Sequence, residues 1–137
     1  MVEHIEHTEH ENGIHEVTFL HAKHQVVDAY LNLIEDLAAE TIEGNVSNKL
    51  YILLDLSQLR NLPPFSYITK QARKVVNQHI RDDERFQLRS AVLVRQDELM
   101  VISLLENIFN LLSINIQLKA FEEDARDEAI NWILAEE

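Results

Sequence analysis

The sequence predicts an α/β protein: one domain over residues 1–137, built on a mostly parallel, five-stranded mixed sheet that opens with an antiparallel hairpin. Three observations carry that expectation. Leu50-Tyr51-Ile52-Leu53-Leu54 is an apolar run without alternation, as in a central strand covered on both faces. Asn12-Gly13 is a strong hairpin signal, because both residues tolerate positive φ. Beyond residue 20, segments of helical period alternate with short strand-like ones, giving the order β-β-α-β-α-β-α-β-α. Such alternation demands right-handed crossovers and a parallel sheet.

Each element has its own local reason. A two-residue turn at Asn12-Gly13 would join a strand near Val2–His10 to one near Ile14–Leu20, pairing His10 with His15, Thr8 with Val17 and Glu6 with Phe19. Charged residues opposite apolar ones mark the first strand as an exposed edge. From His24 to Glu43, Val27, Tyr30, Leu31, Ile34, Leu37 and Ala38 form one buried helical stripe, and Gly44-Asn45 ends it. The Leu50–Leu54 strand closes at Asp55. A helix is expected from Ser66, a capping residue type, with Ile68 and Ala72 facing inward.

Leu88 to Val94 reads as a fourth strand, and Asp97 as the cap of a third helix, Glu98 to Leu112. That helix is apolar over about half its circumference, wider than the roughly 100° stripe that lies on a sheet. The excess, Leu104 and Leu111 with Met100 beside them, calls for a cover: a neighbouring helix, a second subunit or an apolar ligand. Ile114, Ile116, Leu118 and Ala120 alternate with polar residues, as in a strand near a sheet edge. A last helix opens at Glu123 or Asp124 and docks through Ala125, Ala129, Trp132 and Ile133.

Composition narrows the function classes. The chain has no cysteine, which excludes disulfides, thiolate catalysis and cysteine-based zinc sites. Its two glycines, Gly13 and Gly44, leave no phosphate loop, dinucleotide fingerprint or nucleophile elbow. A net charge of −12 disfavours nonspecific nucleic-acid binding, although residues 60–95 are locally basic at net +5. The acidic start Met1–Glu6 lacks the order of a signal peptide, and no apolar run is long enough to span a bilayer. A soluble cytoplasmic protein is expected.

Candidate chemistry is sparse. Six histidines fall within the first 24 residues, and the expected hairpin sets His10 against His15, a weak two-imidazole metal site. No cofactor is expected. Asp55 stands at a strand's carboxyl end, where sites of open α/β sheets gather, with Ser57 beside it. Such aspartates also commonly cap the loop that follows.

The run of an edge hairpin, a helix, Leu53-Leu54-Asp55-Leu56-Ser57, a loop and a helix beginning at a serine resembles the STAS domain of bacterial anti-sigma-factor antagonists. Ala91–Val94, a helix, Ile116–Phe121 and Ala125…Ala129…Trp132-Ile133 resemble its SpoIIAA-like branch. The resemblance implies a non-catalytic module that docks a protein partner, with a serine at that helix start phosphorylated by a kinase. Here Pro63-Pro64-Phe65-Ser66 occupies the stretch, so Ser66 is the only serine that fits, and the family's glycine is absent. Phosphate on Ser66 near Lys70 and Arg73 would be stabilised by helix dipole and charge. Related folds include lipid-binding lobes, which implies an apolar ligand under the third helix as the alternative. A homodimer through Leu104 and Leu111 and a hydrolase using Asp55 and Ser57 are the remaining expectations.

Overall fold

The computed structural model describes residues 4–44, 49–59, 61, 65–75, 87–100, 102–103, 106 and 116–135. Its elements are β1 (Ile5–Glu9), β2 (Ile14–Phe19), α1 (His24–Gly44), β3 (Lys49–Asp55), α2 (Phe65–Val75), β4 (Gln87–Val94), β5 (Ile116–Glu122) and α3 (Arg126–Leu134). A 3₁₀ turn at Gln96–Glu98 follows β4, and Leu99, Met100, Ile102, Ser103 and Glu106 are helical. The five strands form one mixed sheet in chain order, with β1 antiparallel to β2 and every later pair parallel. The expected α/β sheet with an antiparallel hairpin is therefore present. The unalternating run sits at its centre as β3, with Leu50, Ile52, Leu53 and Leu54 all buried.

Strand order equal to chain order has a physical consequence. Right-handed crossovers that step in one direction put their helices on one side of the sheet. On that first face Val17, Ile52, Leu54, Val92 and Val94 pack with Val26, Val27, Ile34, Leu37 and Ala38 of α1 and with Ile102. Tyr67 and Ile68 bring α2 against the same cluster. Among the described residues the second face gets no crossover helix. Its apolar residues Ile14, Leu53, Ala91 and Leu93 are covered by Ala129 and Ile133 of the nine-residue α3. Full burial of a side chain such as Ile133 contributes about 1.5–3 kcal/mol.

Arg89 of β4 locks that cover in place. Its Nε and Nη2 donate to the Trp132 carbonyl at 2.9 and 2.7 Å, and its guanidinium lies 4.1 Å from the Trp132 ring centroid. A cation at the carboxyl end of a helix is favourable because the last carbonyls carry the negative end of the dipole. Partial burial lowers the Arg89 pKa from its ordinary value without threatening its charge.

Several local expectations are corrected. The hairpin turn has three loop residues, not two: Gly13 N–H donates to the His10 carbonyl, His10 N–H to the Ile14 carbonyl, and Gly13 has φ +87°. The register consequently slips by one, so His15 faces Glu9, Val17 faces His7 and Phe19 faces Ile5. Asp97 is not a helix cap, since it lies inside the 3₁₀ turn, whose N-cap Arg95 makes no side-chain capping bond. The last helix begins at Arg126, two residues beyond the expected start, because Glu123 and Asp124 form a turn. β5 does alternate, with Gln117 and Lys119 exposed, as an edge strand should. β1, exposed over four of its five residues, is the other edge.

Candidate functional site

The carboxyl end of β3 makes a compact turn. Ser57 N–H donates to Asp55 Oδ1 at 2.9 Å, and Ser57 Oγ donates to the same oxygen at 2.5 Å. A carboxylate that accepts bonds from the second residue beyond it is a loop cap, and it holds the chain as it leaves the sheet. Leu56 and Leu59 then bury themselves, and Leu56 N–H donates to the Leu93 carbonyl at 2.9 Å. Asp55 and Ser57 are thus brought together, in an arrangement that uses both side chains structurally.

Ser66 is exposed and occupies the second position of α2. Lys70 and Arg73, both exposed, stand four and seven residues further on, which places all three on one side of the helix. An adjoining side is pinned to α1. Tyr67 stacks on His24 with ring centroids 4.1 Å apart, and its hydroxyl donates to Asp28 Oδ1 at 2.5 Å. That bond to a carboxylate raises the Tyr67 pKa. Among the described residues, no direct bond joins the Asp55–Ser57 turn to Ser66, Lys70 or Arg73.

Met100 is 84% exposed. Leu104 and Leu111 lie outside the described residues. On the same segment Ile102 is buried in the first-face core, and Glu106 Oε2 accepts from Ala120 N–H at 3.0 Å, covering one backbone donor of the β5 edge. The weak metal pair does not form as expected, because the register slip separates His10 from His15. His10 Nε2 instead bonds Glu16 Oε1 at 2.8 Å, while His15 Nδ1 meets His7 Nε2 at 3.0 Å. Among the described residues no group of three or more His, Asp or Glu is placed to hold a metal ion.

The sequence reading missed the ion pair between Glu16 of β2 and Arg126 of α3. Arg126 Nη1 donates to Glu16 Oε2 at 2.9 Å and Nη2 donates to Oε1. Beside it opens a depression of about 600 Å³, floored by Ile14, Leu53 and Ile130 and walled by His10 and Arg126. A second of about 500 Å³ lies along β5 between Arg89, Lys119 and Trp132. A carboxylate in a well-covered strand needs a counter-charge, and that was the available signal for Glu16; which cation would answer it, 110 residues away, was not readable.

The Arg126 bond holds the Glu16 carboxyl below its ordinary pKa, against the opposing effect of burial. A depressed carboxylate adds stability that is present above the unfolded pKa and lost as pH falls through the folded one. Arg126→Ala is therefore expected to cost about 1 kcal/mol at neutral pH, towards the low end for such a bond because the Arg126 side chain is 41% exposed. The deficit should close in acid, once Glu16 is protonated in both proteins. Urea melts near pH 7 and near pH 3 check this, and a deficit that persists in acid would mean that Arg126 acts by packing.

Among the described residues no helix is long and apolar enough to cross a membrane. Comparison of the chain with protein-family models, curated proteins and solved structures found no match in any of the three.

Proposed function

We propose that the chain is a non-catalytic interaction module of STAS-like, SpoIIAA-like type, which docks a protein partner on the exposed side of α2. One observation carries the reading. Ser66 is exposed in the first turn of α2, in line with Lys70 and Arg73, while Tyr67 fixes the helix to α1. A phosphate on Ser66 would sit at the positive end of the helix with two cations on its side. The β-first order and the central strand ending in Asp55-Leu56-Ser57 support the family assignment, and the engagement of Asp55 by its own turn favours a docking role over hydrolysis. The acidic remainder of the chain would exclude nucleic acid, and the cytoplasm is the compartment in which such a module works.

The test is capture of partners by immobilised protein carrying Ser66→Asp or Arg73→Glu, with circular dichroism to verify folding. Both variants are expected to fold as the parent does and to capture at least about fivefold less partner, a loss of about 1 kcal/mol in docking. An unchanged set of captured proteins would remove the reading. A second reading, an apolar-ligand carrier, is favoured by the exposure of Met100. Native mass spectrometry of freshly purified protein separates the two, since a carrier retains a hydrophobic mass; light scattering at the 16.0 kDa monomer mass would reject a homodimer.

A further inference from the structure

β1 is the least anchored strand of the sheet: Ile5 alone is half-buried and the other four residues are exposed. Beyond the backbone ladder, one imidazole pair ties it to β2 and another joins the residues that flank the two strands. His4 Nδ1 meets His21 Nε2 at 2.8 Å, with the rings edge-on at 5.0 Å. His7 Nε2 meets His15 Nδ1 at 3.0 Å, with the rings stacked at 5.2 Å. The first pair closes the open end of the hairpin just outside both strands, and the second grips β1 at its middle. In each pair one ring nitrogen donates and the other accepts, so His7–His15 tolerates two neutral rings or one charged one. There a second proton removes the acceptor and sets two cations in contact. At His4–His21 the Lys23 N–H also donates to His21 Nδ1 at 3.1 Å, which makes His21 Nε2 the donor, so any proton on that pair costs a bond.

We propose that β1 is a proton-released strand: charging the second imidazole of His7–His15 and either imidazole of His4–His21 detaches it from β2, while the parallel sheet of β2–β5 stays folded. The surroundings favour this sense. His15 is faced by Glu9 and His7 from β1 and by Glu40 from α1; burial and His7 together outweigh the two carboxylates, so its pKa lies below the ordinary value. His21 is faced by His4 and Lys23, both of which act with its loss of solvent in the same direction. Glu6 pairs with Thr18, outside the imidazole pairs. His10 belongs to the Glu16–Arg126 set, outside the imidazole pairs.

The direction with pH follows from linkage. A histidine whose pKa is lower when β1 is docked takes up fewer protons docked than released, so docking weakens as pH falls below about 6.5. The body has other sources of cohesion, since the β2–β3 and β3–β4 ladders carry buried apolar residues, and the imidazole within them, His15, stands opposite the apolar Ile52 of β3.

Amide hydrogen exchange at about pH 7.5 and about pH 5.5, corrected for intrinsic rates, tests the proposal on the whole chain. In acid, the amides of Glu6 and Thr8, the two of β1 that face β2, are expected to lose protection by about tenfold, while the ladder amides of 50–55 and 88–94 keep theirs. A glutamine in place of His7 or His4 keeps a neutral hydrogen-bonding group, so the double variant His4→Gln/His7→Gln should show little of that acid loss. Equal protection of Glu6 and Thr8 at both pH values would overturn the proposal. So would a loss spread evenly over all strands, or an acid loss as large in the double variant as in the parent. Should the double variant fail to fold, NMR titration of the parent histidines decides: one ring of each pair must titrate below about 6.5, and four ordinary titrations would overturn the proposal.

Discussion

Ile133→Asp is expected to lower stability by about 4–6 kcal/mol, the sum of a lost apolar contact and an unpaired carboxylate placed in the interior. Ile133 is fully buried, and with Ala129 it is what α3 presents to Ile14, Leu53, Ala91 and Leu93. Among the described residues the second face has no crossover helix to take over that role. For a chain of 137 residues the loss corresponds to about 15–20 °C in melting temperature, most of the margin that a domain of this size holds. Thermal circular dichroism is the measurement. Asn131→Asp, on the exposed side of the same helix, should stay within about 0.5 kcal/mol of the parent. If both variants melt alike, α3 does not cover the sheet.

Leu53→Ala is expected to cost about 2–5 kcal/mol, because its side chain is fully buried at the middle of the central strand and alanine would leave a cavity under a single helix. Urea unfolding should show a lower midpoint with an unchanged slope. The two faces form separate apolar clusters, which makes the prediction sharper. Leu53→Ala combined with Ile133→Ala should be non-additive by about 0.5–3 kcal/mol, since both line one small cluster. Combined with Leu37→Ala on the other face, it should add within about 0.5 kcal/mol. Equal coupling in both pairs would mean that the sheet does not separate two cores.

What the sequence made legible was set by the range of each interaction. The central position of β3 could be read because a strand covered on both faces has no reason to alternate, and the edge position of β5 because it does alternate. The line Ser66–Lys70–Arg73 follows from helical period alone, and the helix starts within one residue of the expected serine. The hairpin was readable but its register was not, since Asn12-Gly13 serves two-residue and three-residue loops equally well. That one-residue difference moved every cross-strand partner and turned an expected His10–His15 pair into His7–His15. Arg89 and Arg126 stood in the sequence as cations whose partners lay 43 and 110 residues away. Spacing holds no information about such pairs, although a charge in the middle of a covered strand such as β4 announces that one must exist.

Having all crossovers on one side also matters during synthesis. The first face can be dressed as each helix emerges, so apolar strands on that side wait only for the next segment. Among the described residues the helical cover of the other face comes from α3, so its apolar residues wait from the completion of β3 at Asp55 until α3 starts at Arg126. At about 5–20 residues per second, that interval lasts roughly 4–14 s on the ribosome. A nascent chain stalled between those points would present a bare apolar sheet surface, the kind of substrate that chaperones hold.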